Sequence, residues 1–495
     1  MAQILPEWPP RLSKDQEEHI TKAAIDYALA HSLIVRGLPG TSNSTVTNAP
    51  FALYPTPFPR ALFNRASDIQ PLYNKLYARI TNSHEFLNSV IGGAVAKVDT
   101  FQASLWSLYN NLREQETVQP ITLGIFRSDY LLHSSESNLT LQQVELNTIA
   151  SSFGPLASRT SQLHKYLLQS GLYPSHKSLS STSIPDNNAS ERIVGGIAQA
   201  HKLYGNPSAY VLTVVQPDER NVFDQKALEY SLMADHGVRV LRASLDELET
   251  HATLEGADRR LLLKGLPLSS VEAVEISVVY YRAGYSPNDY TSPSNWSTRL
   301  LLEHSKAIKC PSVALQLAGA KKVQQVLTRP GVLEQFMDSS DEIAALKATF
   351  TRLLPLDDTD DGKEALRLIE ESNGEGFVLK PQREGGGNNI YGAEIPKALQ
   401  DMSKRDQKSY ILMDLINPPK KLQNILVKKG TTRGVQSEVM SELGVYGVTI
   451  WDNTPEKPKI FTNETAGHLL RTKASDVQEG GVATGFSVID SPLLL

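Results

Sequence analysis

The stretch GFVLKPQREGGGNN, residues 376–389, restricts the fold more than any other part of the sequence. An apolar run ends on Lys380, and an arginine, a glutamate, three consecutive glycines and two asparagines follow. Glycine loses more backbone freedom on ordering than any other residue, so a triplet is disfavoured in a packed core. It suits a backbone that lies close to something, and Lys380, Arg383 and Glu384 make that something polar. Bare backbone N–H groups hydrogen-bond phosphate oxygens, and a lysine adds a point charge. The order is not that of a P-loop, in which the glycines precede the lysine and a helix with Ser or Thr follows. Glu384 would repel a phosphate unless a divalent cation lay between them, and Mg²⁺ takes a few carboxylates together with phosphate oxygens. The plain alternative is an idle glycine-rich hairpin tip. In either case Glu384 is expected in a solvent-facing loop.

The remaining sequence suits an ordinary α+β or α/β protein. At 495 residues the chain is too long for one core, and two or three structural units are expected. Charged residues make up 21% and hydrophobic residues 40%, as in soluble globular proteins. A net charge of −5 gives no reason to expect a nucleic-acid or membrane partner. The opening MAQILPEWPPRLSKDQ lacks the charged and apolar regions of a secretion signal, and no apolar run of about twenty residues occurs, so a cytoplasmic location is expected. Cys310 is the only cysteine, which excludes disulfides and Cys-based zinc sites within one chain. It precedes a predicted helix away from every motif and reads as buried filler rather than as a nucleophile.

Helical and strand patterns alternate along the chain. Residues 14–31 have helical period and an acidic first turn, and 84–115 predict one long or two shorter helices. FALYPTPFPR, 51–60, must be extended or looped because of its prolines. Strands are expected at 123–132, 141–148, 208–216, 275–282, 376–380, 409–416 and 442–450. A helix near 224–236 makes 206–318 a compact βαβ-like unit. Residues 171–190, rich in Ser, Pro and Asn, predict a mobile connection.

Two more clusters carry chemistry. In VELNT, Glu145 and Asn147 are two apart on a predicted strand and share a face. With Glu384 they make a hard-oxygen set suited to Mg²⁺. An isolated E-x-N is otherwise the wet face of a surface strand. In HLLRTKA and EGGVATG, residues 468–485, Arg471 and Lys473 share a face if extended, and Gly480, Gly481 and Gly485 follow. This is either a flexible loop closing over anions and excluding water or a mobile loop with solvated charges.

These residues carry a resemblance to eukaryotic glutathione synthetases. The matching blocks, in order across residues 54–486, are YPTPFPR, LYNKLYARI, LGIFRSDYL, QQVELNTIASSFG, ERNVFDQ, VVYYRAGY, LAGAKKVQQVLT, LKPQREGGGNNIYG, YILMDLI, SELGVYG and HLLRTKA with EGGVATG. The resemblance implies an ATP-grasp fold with a parallel-sheet substrate-binding insertion and a glycine-rich lid. Its parts fall at 1–205 (N-terminal part of the core), 206–318 (insertion) and 319–495 (C-terminal part with the lid). It implies ATP-dependent joining of γ-glutamylcysteine to glycine through an acyl phosphate, with ATP as co-substrate and two Mg²⁺ ions per site. A homodimer is implied as well.

The resemblance also assigns residues. Glu145, Asn147 and Glu384 match metal ligands. Arg127, Arg471, Lys321 and Lys380 match the groups that act on the reacting anions. The nucleotide site would comprise Glu145, Lys321, Lys380, Pro381, Gln382, Arg383, Glu384, Gly385, Gly386, Gly387, Asn388, Asn389, Tyr391, Met413, Asp414, Leu415, Ile416, Glu442, Lys473 and Glu479. The dipeptide site would comprise Arg127, Ala150, Ser151, Ser152, Glu219, Arg220, Asn221, Gln225, Arg282, Ala283, Gly284, Tyr285 and Arg471, with Val482 and Ala483 closing over it. Ala150 stands where the family's N-T-x-S-x-S block has its first serine, Asp414 where a glutamate is common, and Glu479 where an aspartate is common. Two other readings share part of this pattern: an ATP-dependent carboxylate–amine ligase with a different acceptor, and a non-catalytic nucleotide-binding regulator. The second predicts a degraded metal set, whereas all three metal positions are present.

Overall fold

The computed structural model describes residues 8–495 except 38–41, 43, 136–137, 266–271, 386, 455–456, 479 and 484. Its centre is a mixed sheet of thirteen strands built around a long antiparallel hairpin, Gly434–Asp452 with Lys459–Ala474. On one side of the hairpin lie Val488–Asp490, Phe51–Ala52 and Gln423–Val427, and the last of these pairs back onto Gly434–Asp452, so this end of the sheet closes on itself. On the other side Ile121–Ser134 pairs antiparallel with Gly434–Asp452, and Leu139–Asn147 follows as its hairpin partner.

The sheet continues without a break into the segment 206–318. Ile308–Cys310 meets Ile121–Ser134 through Lys309 and Thr122. Beyond it Ala273–Tyr281, Tyr210–Val214 and Val240–Ala243 run parallel to one another. These strands are runs of Val, Leu, Ile and Tyr because helices such as Val222–His236 cover them.

A separate four-stranded antiparallel sheet has the order Leu353–Pro355, Tyr410–Asp414, Phe377–Pro381 and Ile390–Tyr391. Alternation along Phe377–Pro381 sorts its side chains. Phe377 and Leu379 pack with Ala365, Ile369, Ile395 and Leu399 of two covering helices, while Val378 packs with Met413 and Ile416 on the opposite face. Lys380 follows Val378 in this alternation, so its side chain shares the uncovered face.

Helix Arg60–Thr81 seats the hairpin. Its buried positions, including Phe63, Ala66, Ile69, Tyr73, Tyr77 and Ile80, recur every three or four residues. The approach is close at Gly447, where a Cβ would stand 2.1 Å from Asn74 Oδ1.

Two expectations need correction. Residues 84–115 do not form one or two plain helices. A turn of α-helix, His84–Leu87, passes into a π-turn, Asn88–Gly92, and a 3₁₀ turn, Val95–Lys97, before helix Thr100–Arg113 starts. The Trp106 indole packs on Gly92, where a Cβ would lie 2.6 Å away, and Asp99 caps the new helix. Residues 171–188 have neither helix nor strand, but the connection is anchored. The Tyr173 hydroxyl donates to Leu53 O (2.6 Å), Ser183 O accepts from Leu494 N (2.7 Å), and Asn187 donates to His468 O (2.7 Å). Among the described residues no helix is long and apolar enough to cross a membrane.

Candidate active site

A cleft of about 720 Å³ opens between the four-stranded sheet and the edge of the large sheet formed by Ile121–Ser134 and Leu139–Asn147. Sheet register places the charged residues of its floor. Asn147 lies opposite Arg127 and Glu145 opposite Asp129, while Glu442 and Arg471 face each other on the long hairpin. The pairing then slips by one residue, from Asp129 with Glu145 to Tyr130 with Gln143, so Val144 is bulged. The bulge leaves the Val144 carbonyl to accept a hydrogen bond from Lys380 Nζ at 3.0 Å.

Asp129 organises the floor. Fully buried behind the cleft surface, it accepts from Arg127 Nε (2.6 Å) and Nη2 (2.8 Å), from Asn147 Nδ2 (2.9 Å) and from Arg471 Nη2 (2.9 Å). Arg471 also pairs with Glu442. At Gly444 a Cβ would stand 2.8 Å from both Arg127 Cδ and Asp129 Oδ1, so no larger residue fits beside this pair. Neither Asp129 nor Gly444 was among the expected site residues. The available signal was Arg127 and Asp129 alternating on one face of an otherwise apolar strand.

Lys321, at the start of helix Lys321–Leu327, bridges Glu145 Oε2 (3.5 Å) and Glu384 Oε1 (3.3 Å). Glu384 is therefore turned into the cleft and only a quarter exposed, not the solvent-facing residue expected, because a buried ammonium draws it in. Burial alone would raise both carboxyls. At Glu145 the cations Lys321, Lys380, Arg471 and Arg127 outweigh it and hold the group down at about 2. At Glu384 burial, reinforced by the charge of Glu145, outweighs Lys321 and the group is raised. Two carboxylates sharing one lysine are thus pushed apart. Burial also raises Glu442 and lowers Lys380.

Behind the floor the turn 150–153 is held by the parallel region. Arg282 donates to Ser151 O (2.7 Å) and Ser152 Oγ (2.6 Å), and the Tyr446 hydroxyl donates to Ser152 O (2.5 Å). Asp224, also outside the expected set, accepts from Phe153 N at 2.8 Å. Glu219 accepts from Asn221 N (2.6 Å) and Gln225 Nε2 (3.0 Å). Among the described residues, the buried atoms Arg220 Nε, Asn221 Oδ1, Arg282 Nε and Arg471 Nε have no hydrogen-bond partner.

Most of the expected residues line the cleft. They are Arg127, Glu145, Asn147, Ala150, Ser151, Ser152, Tyr285, Lys321, Lys380, Arg383, Glu384, Gly385, Asn388, Asn389, Tyr391, Met413, Asp414, Leu415, Ile416, Glu442, Arg471, Lys473, Val482 and Ala483. Glu219, Arg220, Asn221, Gln225, Arg282, Ala283, Gly284, Pro381, Gln382 and Gly387 do not line it. Gln382 is turned inward as a tether, accepting from Lys322 N (3.0 Å) and donating to Ser409 O (3.1 Å). Arg383 reaches the wall, but its guanidinium is engaged by Asp99. Asp414 pairs with Arg352 Nε at 3.0 Å, and Ala150 has a left-handed φ of 53°. Gly386 and Glu479 lie outside the described residues.

Cys310 is buried in strand Ile308–Cys310, and burial raises its thiol well above the usual range. A thiolate is not available for chemistry there. Cys310→Ser should leave turnover within about threefold of wild type, as for a substitution outside any site. A folded but inactive variant would contradict this.

Two sheets facing each other across a cleft lined by paired cations and carboxylates define an α+β fold of the ATP-grasp type. The family model for eukaryotic glutathione synthase, ATP binding domain, matches residues 14–494. The chain is 41% identical to glutathione synthetase of Xenopus laevis over 97% of both sequences. It is 40% identical to glutathione synthetase of Homo sapiens, again over 97% of both. To the glutathione synthetase large chain of Schizosaccharomyces pombe it is 38% identical, over 97% of this chain and 98% of the relative. The chain belongs to the eukaryotic glutathione synthase family. A solved apo structure of a glutathione synthetase-like effector from Globodera pallida has the same fold, with a TM-score of 0.77 at 22% identity over 98% of both chains.

Proposed function

We propose that this protein is a glutathione synthase, joining the cysteinyl carboxylate of γ-glutamylcysteine to the amine of glycine at the expense of ATP. Family membership gives the reading its frame. The observation that carries it at the site is one cleft lined by Arg127, Arg471, Lys321 and Lys380 together with Glu145, Glu384 and Glu442, with Asp129 buried behind the two arginines. A carboxylate and an amine do not condense unaided. The γ-phosphoryl group passes to the carboxylate oxygen, giving an acyl phosphate and ADP. The amine then attacks the carbonyl carbon, and phosphate leaves from the tetrahedral intermediate with loss of the amine proton.

Each step crowds anions, so fixed cations are required. Lys380 and Lys321 would neutralise the triphosphate, and Arg127 and Arg471 the reacting carboxylate. Val482 and Ala483, with the glycine-rich segments, would exclude the water that hydrolyses an acyl phosphate. The residues suit Mg²⁺. Glu145 and Glu384 already converge on one cation, Lys321, and the Asn147 amide nitrogen donates to Asp129 and Arg127 O, so it is the carbonyl oxygen of this cleft-lining residue that would meet a metal. Bound there, Mg²⁺ would supply charge neutralisation at the phosphates. Glu219, Asn221, Gln225 and Arg282 are carried as the dipeptide side of the same site.

A homodimer and a cytoplasmic location belong to this reading. The deciding assay supplies ATP, Mg²⁺, γ-glutamylcysteine and a panel of amino acids. Glycine-dependent glutathione and phosphate release are expected, and product with another acceptor only would point to a different ligase.

Arg127→Lys should reduce turnover about 10²-fold although charge is kept. A lysine replaces a two-pronged contact to Asp129 by a single one and leaves the other arginine positions unfilled. Wild-type kinetics from the folded variant would remove Arg127 from the machinery.

A further inference from the structure

Asp99 stands at the junction of the 3₁₀ turn Val95–Lys97 and helix Thr100–Arg113 and is nearly fully buried. Its two oxygens do different work. Oδ1 accepts from Gln102 N at 2.9 Å, capping the helix. Oδ2 pairs with Arg383 of the glycine-rich segment. The same guanidinium donates to Gln382 O at 2.7 Å, which ties Arg383 to its own loop backbone. The next residue is Glu384, held by Lys321 at 3.3 Å. A second arginine from the four-stranded unit grips the same turn, Arg405 donating to Lys97 O from Nε (3.2 Å) and Nη2 (2.8 Å). A capping aspartate needs no arginine, and the Asp99 side chain, 6% exposed, is too buried for the pair to be a solvated surface contact.

We propose that Asp99 is a positioning residue for the nucleotide and metal end of the cleft, fixing the base of the glycine run through Arg383 and so placing Glu384. What Glu384 does once placed rests on the function proposed above. The linkage from Asp99 to the loop does not. The charge on Arg383 then acts on the protein's own scaffold rather than on the nucleotide.

Asp99→Asn separates the two roles. Asparagine caps helices about as well as aspartate, so the helix should be kept while the ion pair is lost, with some fall in the melting temperature because the pair is largely buried. Partners that orient a metal ligand typically change affinity or activity by about 10–100-fold when removed. We expect the KM for ATP and the Mg²⁺ concentration for half-maximal rate to rise about tenfold, with the KM for γ-glutamylcysteine unchanged. Calorimetry should show ATP–Mg²⁺ binding weakened by about the same factor. Trypsin should cut after Arg383 faster once the side chain is released. Arg383→Gln should reproduce the ATP effect, and the double variant should be no worse than either single one. Arg383 is less buried, so its variant carries the test if Asp99→Asn does not fold. Unchanged ATP binding and unchanged trypsin cleavage in Asp99→Asn would overturn the proposal, as would additive effects of the two substitutions. If the wild type binds ATP but makes no glutathione, the proposed function falls while the binding and cleavage measurements still decide the role of Asp99.

Discussion

Asp129→Asn should lose most of the activity and a large part of the stability. Asp129 is completely buried and contacts both Arg127 and Arg471. The substitution keeps size but puts an NH₂ group among donors and leaves two guanidinium groups facing less negative charge. Breaking a buried charge pair from one side costs about 3–5 kcal/mol, because the surviving charge stays buried. Glu442 still pairs with Arg471, so the loss falls hardest on Arg127. Activity should drop further than stability accounts for, since both arginines are proposed to hold the reacting carboxylate. Urea unfolding and turnover at a temperature where the variant is folded measure the two parts separately. A variant with an unchanged midpoint and unchanged turnover would show that Asp129 organises nothing.

Glu384→Gln separates the two effects differently. Its side chain is a quarter exposed, and Lys321 retains Glu145 as partner, so the melting curve should shift little. Losing one preorganised electrostatic contact costs roughly 3–4 kcal/mol in the transition state, or about 10²–10³ in rate. If Glu384 is a metal ligand, raised Mg²⁺ should recover part of that loss, since glutamine keeps an oxygen but not the anion the ion prefers. Turnover measured against Mg²⁺ concentration tests this. Normal turnover at limiting Mg²⁺ would remove Glu384 from the ligand set.

The two residues also mark where sequence reasoning reached and where it stopped. Glu384 stood out because a carboxylate beside three glycines and a lysine demands an explanation. Glu145 and Asn147 were legible from their spacing on a strand, and Lys380 from the end of an apolar run. These are local signals, and strand alternation preserves them in the fold. Asp129 had only its alternation with Arg127 as a local signal, and its meaning lies in partners 18 and 342 positions away. Its surroundings depend on the Gly434–Asp452 strand pairing beside it with Gly444 opposite, and register between distant strands is not written in either strand alone. Arg383 shows a second kind of long-range partner. The resemblance placed it in the nucleotide site, and it does line the cleft, but its guanidinium is also held by a helix cap 284 positions earlier, a contact no local pattern announces. The broken segment 84–99 was missed for a related reason: the hydrophobic period persists through it, and only the Trp106 ring over Gly92 and the cap at Asp99 reveal the interruption.

The closed end of the large sheet has a consequence for how the chain is made. Phe51 pairs with Ile489 and Leu426 with Ala52, and Thr56 donates a hydrogen bond to Asp490 across 434 positions. The early strand Phe51–Ala52 therefore has no sheet neighbours until strands near residues 425 and 489 have left the ribosome. Elements that normally fold as they emerge must here wait for partners as far as 434 positions later, with apolar surface exposed meanwhile. A nascent chain cut short before residue 488 would leave that strand with one edge open, so premature termination even this late should send the product to chaperones and proteases rather than to a partly active enzyme.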